Sequence, residues 1–198
     1  MPDTGAPHFI PFADPTDLVR DWPALSEDVA DAVAAGLTAA GNAGIGSNVV
    51  QTVKTDTFST TSTSFTTVTG MTAAITPSSA SSKVLIVAQI ATGLQEANTS
   101  IGHFKITRGG TDIYIGNADG SRIRAVFGGT SVGSDASMVV SNSIVYLDSP
   151  SSTSSVTYRL DVRRGGNGTV FINRSLNDSD NDFHVRGASS LTVIEVAA

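Results

Sequence analysis

The chain contains no cysteine. A disulfide framework and a thiolate metal site are therefore both excluded. Charge is also scarce: Asp, Glu, Lys and Arg together make up 15% of the 198 residues, and the formal net charge is −6. A phosphate backbone is held by clustered Lys and Arg, so nucleic acid is not an expected partner. No apolar run approaches the roughly 20 residues that a membrane-spanning helix needs, and no membrane insertion is expected. Residues 1–5, Met-Pro-Asp-Thr-Gly, lack the charged and apolar stretches of a secretory leader, so none is expected. No Gly-rich loop follows a strand and opens a helix, so neither a nucleotide nor another cofactor is assigned.

What the chain does have is concentrated in Asn48–Ala91, a stretch of Val, Ile, Thr and Phe broken by Ser/Thr clusters, Gly70 and Pro77. β-Branched and aromatic residues suit a pleated, half-buried surface, and small polar clusters with Gly and Pro mark turns. Three strands are predicted, over Val49–Phe58, Thr63–Thr76 and Lys83–Ala91. The run Val84-Leu85-Ile86-Val87-Ala88 does not alternate, as in a strand covered on both faces, which places it in the middle of a sheet.

The same texture continues to the end of the chain. Ile101–Thr107 and Asp112–Gly116 flank Arg108-Gly109-Gly110-Thr111, a hairpin signal. Strands are further predicted over Arg122–Phe127, Ser137–Leu147, Thr169–Asn173 and Ser190–Val196. Val156, Tyr158, Leu160 and Val162 alternate with Thr157, Arg159, Asp161 and Arg163 in the clearest half-buried strand of all. About ten strands with no helix between them imply a mainly β fold, an antiparallel, jelly-roll-like β-sandwich.

Residues before Asn48 read differently. Residues 1–13 hold three of the seven prolines and form an extended arm whose Phe9, Ile10 and Phe12 are too apolar for a free tail. Leu18 and Trp22 belong to a short helical turn that Pro23 ends. Ser26 caps a second helix with Glu27 and Asp28 in its first turn, where the helix dipole favours negative charge, and Gly41 stops it. Val29, Val33 and Leu37 share one face at i, i+4, i+8. A helix of roughly 15 residues is marginal alone in water, so its narrow stripe is expected to pack on copies of itself or on a host protein. Closed symmetric association covers both the stripe and the arm, and a homotrimer is expected. The division is then a docking arm and helix over 1–41, a Gly-rich linker over 42–47, and a β domain over 48–198.

Three constellations bear on chemistry. Gly129-Thr130-Ser131-Val132-Gly133 matches G-x-S-x-G, but a nucleophilic serine needs a strand before it and a helix after it. Here a strand follows, and the match reads as a loop serine; no catalytic residue is assigned. Asp178, Asp180 and Asp182 resemble the start of a calcium loop, which requires Gly at its sixth position and Glu at its twelfth. Those positions hold Phe183 and Ser189, so this is not an EF-hand. A looser carboxylate site and a solvated loop that resists edge pairing are both open readings, and no metal is assigned. His8, His103 and His184 are scattered without metal-ligand spacing. Binding residues collect on loops held by a rigid scaffold. The candidate for outward contact is the longest polar loop, Asn177–Asp182 with Arg174 and Arg186, whose charged groups suit sugar hydroxyls. That loop packing on a neighbouring subunit is the other reading.

Residues 9–41, with I-P-x-x-x-P-T-D, S-E-D-V-A-x-A-V and a Gly-ended Ala-rich helix, are similar to the N-terminal module of phage minor tail and fibre proteins. Residues 49–198 resemble a β domain of tail-fibre and capsid-fibre proteins, in QTVKTDTFSTTSTSFTTVTGMTAAITPSSASSKVLI, RGGTDIYIG, YLDSPSSTSSVTYRLDV and RGASSLTVIEV. The resemblance implies a non-enzymatic virion appendage, typically a homotrimer. Residues 1–41 would dock on a tail or capsid protein, and the β domain would point outward to bind a host-surface glycan. The lack of a shaft repeat favours a short fibre or spike. A capsid decoration or head fibre is the alternative, and a glycan esterase or depolymerase the alternative of another class.

Overall fold

The computed structural model describes residues 27–35, 45–94, 100–128 and 137–197. The chain divides into two compact units, Met1–Gly44 and Ile45–Ala198. In the first, helix α1 covers residues 27–35, with Val29 half-buried and Val33 54% exposed. Leu37 and the other apolar residues expected to drive docking, Phe9, Ile10, Phe12, Leu18 and Trp22, lie outside the described residues.

The second unit is an antiparallel β-sandwich. Its strands are β1 (Ile45–Lys54), β2 (Phe58–Thr60), β3 (Thr66–Ile75), β4 (Lys83–Leu94), β5 (Ser100–Arg108), β6 (Thr111–Ile113), β7 (Phe127–Gly128), β8 (Val140–Asp148), β9 (Val156–Gly166), β10 (Val170–Ile172) and β11 (Ser189–Val196). In one sheet, β4 lies between β8 on one edge and β11 and β10 on the other, and β1 and β2 pair outside β11 and β10. In the other sheet the order is β3-β9-β5, with β6 and β7 sharing the far edge of β5. The chain therefore pairs as one long hairpin rolled up: β1–β2 with β10–β11, β3 with β9, β4 with β8, and β5 with β6. That is jelly-roll pairing, in which two sheets close over one core. Val84, Ile86, Ala88 and Ile90 of β4 meet Phe104 and Ile106 of β5 and Tyr158, Leu160 and Val162 of β9 in that core.

Local chemistry explains the details. Gly109 and Gly110 both take positive φ, 54° and 90°, as a two-residue hairpin turn requires, and Arg108 pairs with Thr111 across it. Gly70, at φ 83°, sits where the β3–β9 register shifts. Between Thr67–Asp161 and Thr72–Arg159 the β3 strand carries three extra residues, an odd number that lets both Val68 and Met71 face inward although they are three apart.

Three expectations are corrected. The strand expected over Val49–Phe58 is two strands, because Asn173 Nδ2 takes the carbonyls of Lys54 (2.8 Å) and Asp56 (2.9 Å) between them. Arg122–Phe127 is not a strand: Gly116 N–H donates to the Ala125 carbonyl and Arg124 Nε to the Gly116 carbonyl, so this segment folds on itself and joins the sheet only at its end, where Val126 N–H donates to the Phe104 carbonyl (2.8 Å) and Phe127 pairs with Phe104. β4 does lie mid-sheet, but its residues alternate in burial. Leu85 and Val87 are half-buried on the outer face, so the run is unbroken because both of its faces carry aliphatics.

Candidate functional site

The polar loop singled out in the sequence leaves the sandwich between β10 and β11. Its root is Asn173, fully buried and left-handed at φ 63°. Besides holding Lys54 and Asp56, its side chain accepts from Ser189 Oγ (2.6 Å), its N–H donates to the Ala91 carbonyl (2.8 Å), and its carbonyl accepts from Gly187 (3.0 Å). Every polar atom of a buried asparagine is thereby occupied, which is the condition for burying one. Just beyond, the backbones of Arg174 and Arg186 form an antiparallel bridge that closes the loop neck.

Within the loop, Asp178 is the organising carboxylate. It meets Arg186 at 2.7 Å and Arg174 at 3.4 Å. Arg174 also donates to the carbonyls of Ser175 (3.0 Å) and Leu176 (2.7 Å), and its guanidinium lies 4.5 Å from the Phe171 ring centroid. The tip is shaped by side chain–backbone bonds of the kind Asn and Ser make in turns. Phe183 N–H donates to Asn181 Oδ1 (3.0 Å), Ser175 Oγ donates to the Asn177 carbonyl (2.6 Å), and His184 Nδ1 contacts the Ser179 carbonyl (3.0 Å).

The structure therefore separates the five residues that the sequence grouped. Arg174, Asp178 and Arg186 hold the neck, and Asp180 and Asp182 are exposed at the tip. Beside them stands Phe183, 78% exposed, which sequence reasoning passed over as a failed calcium-loop position. Its signal was visible: one aromatic directly after the polar run Asn177–Asp182. A cavity of about 300 Å³ opens in the same loop, lined in part by Asp178, Asp180, Asn181, His184 and Arg186; Asp182 and Phe183 stand outside its lining. Carboxylates and a carboxamide accept from hydroxyl groups, and an exposed ring offers a flat apolar face; the set suits a polyhydroxylated ligand.

The loop sits at a defined end of the sandwich. Ile45 pairs with Val196, which pairs with Lys83, whereas β10 pairs at Thr92–Leu94. Nine residues of strand separate Lys83 from Thr92, about 30 Å. The loop lies toward the end opposite Ile45.

The remaining candidates do not converge. Residues 129–136, including Ser131, lie outside the described residues, and His184 is bound into the Asp-rich loop. His103 is on β5 opposite Arg163; burial, and then the Arg163 charge, hold its imidazole below the usual range. No group of three His, Asp or Glu placed to hold a metal ion occurs among the described residues. Among the described arginines, Arg122 pairs with Asp119, Arg174 and Arg186 with Asp178, and Arg159 Nε donates to Thr107. No described helix is long and apolar enough to cross a membrane. Compared with known proteins, the chain matches no family model and no curated protein.

Proposed function

We propose that this chain is a phage virion structural protein: a short trimeric tail fibre or spike that docks through residues 1–41 and presents its β domain to the host surface. Three things support the reading. The sequence stretches quoted above resemble virion appendage proteins across nearly the whole chain. Residues 1–44 group as one compact unit and residues 45–198 as another, the division a docking module would give. The third, which carries the binding half of the proposal, is the loop between β10 and β11. Its neck is locked by Asn173 and by the Asp178 ion pairs, while its tip offers Asp180, Asp182 and an exposed Phe183. A rigid root with a ligand-ready tip is how adhesive loops are built on β scaffolds.

The test is adsorption of the purified protein to host cells. Replacing Asp180, Asp182 and Phe183 together by Ala should cut adsorption at least tenfold while leaving the oligomer and the melting transition unchanged. Unchanged adsorption by a folded triple variant would remove this loop from the binding surface. Docking is tested separately: virions assembled with residues 1–41 deleted should lack the protein.

A further inference from the structure

His103 lies across two glycines. On β9, a Cβ at Gly165 would stand 2.4 Å from the ring carbon Cε1 and 3.0 Å from Nδ1; on β7, a Cβ at Gly128 would stand 3.7 Å from Cδ2. These two strands flank β5 on either side. Any larger residue at position 165 would collide with the ring, so the imidazole spans the outer face of β5 from one neighbour to the other. The contact matters most for β7, which is two residues long. Its hold on the sheet is short. Val126 N–H donates to the Phe104 carbonyl (2.8 Å), Phe127 stacks on Phe104 with 4.7 Å between ring centroids, and Gly128 pairs with His103.

We infer that His103 is a latch, which holds residues 126–128 on the sheet while its ring is neutral and releases them when the ring takes a proton.

The surroundings suit a neutral ring. Its Nδ1 is screened from solvent and has no hydrogen-bond partner among the described residues. A proton placed there would have no acceptor, and a buried charge without one is costly. Charged groups approach from two strands. Arg163 of β9 is the direct cross-strand partner, and Lys105 lies two residues along the same face of β5. Lys105 is ion-paired with Asp112 (2.6 Å), while Asp161, the carboxylate of β9 on this face, stands opposite Lys105 and accepts from Thr67 Oγ1 (2.7 Å). Phe127 and Gly128 of β7 bring no charge. No described carboxylate is therefore paired with the imidazole.

Burial, and then the Arg163 charge, hold the folded ring below its ordinary 6.5. A histidine depressed on folding contributes stability that is full above its unfolded value and is lost as pH falls through the folded value. Where the loss appears depends on which contact is weakest. β9 pairs with all nine residues of β5, whereas β7 pairs with two. The long ladder stays closed and the short one opens, a local event well below global unfolding. If opening returns the ring to its ordinary value, uptake of one proton raises the open population at pH 5 by up to about thirtyfold.

Hydrogen exchange of the full chain, read by mass spectrometry at about pH 7.5 and about pH 5 and corrected for intrinsic exchange rates, tests the latch. Peptides covering residues 123–128 should exchange severalfold faster at the lower pH, and those of β4 and β8 should not change. His103→Gln and His103→Asn put neutral polar groups in place of the imidazole, and each should abolish the difference. A difference that persists in either folded variant, that extends equally to β4 and β8, or that is missing from the wild-type chain would overturn the inference.

Discussion

A Cβ added to Gly93 would stand 2.1 Å from the carbonyl oxygen of Arg174. The loop neck thus lies directly on the backbone of β4, and no side chain fits between them. Gly93→Ala must push the neck away or distort β4. Overpacking of this kind costs about 1–3 kcal/mol. For a domain of this size the melting temperature should fall by roughly 5 °C, and adsorption should fall with it if the loop is the contact surface. Calorimetry of the variant checks the first outcome; an unchanged transition would mean that the neck is not seated on β4.

Glu195 makes the fold sensitive to acid. It is buried at the end of β11, where Ser78 donates to it from its backbone N–H (2.7 Å) and its hydroxyl (2.5 Å), and Asn48 from its amide (3.3 Å). Burial by itself would raise the carboxyl; the bonds from Ser78 and Asn48 outweigh it and hold the group below its ordinary 4.5. A carboxyl depressed on folding stabilises above its unfolded value, and that stability is lost as pH falls through the folded value. Stability should therefore decline below about pH 4.5. Glu195→Gln should cost about 2 kcal/mol at pH 7 and make the decline shallower. Urea unfolding at pH 7 and pH 3 measures both.

Tyr158 supplies the opposite limb. Its buried hydroxyl donates to Asp148 at 2.7 Å, and Arg108 Nη1 reaches both oxygens of the same carboxylate at 2.9 Å. Burial, and then the Asp148 bond and charge, push the phenol well above its ordinary 10. A group raised on folding contributes stability that is full below its unfolded value and lost as pH rises through the folded value. The native protein should hold this phenol un-ionised at pH 10–11. Tyr158→Phe should cost about 1.5 kcal/mol at neutral pH and flatten the alkaline loss of stability. Absorbance at about 295 nm should show the Tyr158 step only on unfolding.

Much of this was legible in the sequence because it was periodic or punctuated. The alternation of Tyr158, Leu160 and Val162, the Gly109-Gly110 turn and the aliphatic run of β4 each report a local rule, and together they carry the sandwich. What stayed hidden was tertiary. Nothing around Asn173 announces that its side chain would take two carbonyls more than 115 residues away in sequence and split the first strand. Ile123, Ala125 and Phe127 alternate as a strand does, yet the Gly116–Arg124 pairing wins. In the candidate loop, composition marked the segment but could not separate neck from tip, since that division depends on which carboxylate the two arginines reach.

That division yields the last prediction. Asp178 touches both Arg174 and Arg186, so its first task is to hold the neck. Exposed ion pairs contribute about 0–1 kcal/mol, and Arg186 is largely solvated, so Asp178→Ala should barely move the melting temperature. The effect should be local. Without the carboxylate the two guanidinium groups face each other across the bridge at Arg174 and Arg186 and repel. The loop should then open more often, and limited proteolysis within residues 175–185 should speed up severalfold. Asp180→Ala and Asp182→Ala remove tip carboxylates that bridge nothing in the neck, so the cleavage rate should stay at the wild-type value. If all three substitutions accelerate cleavage equally, the ion pairs do not organise the loop and the separation of neck from tip is wrong. If Asp178→Ala also lowers adsorption while Asp178→Glu restores both cleavage resistance and adsorption, the carboxylate acts through the shape of the loop and not through the ligand.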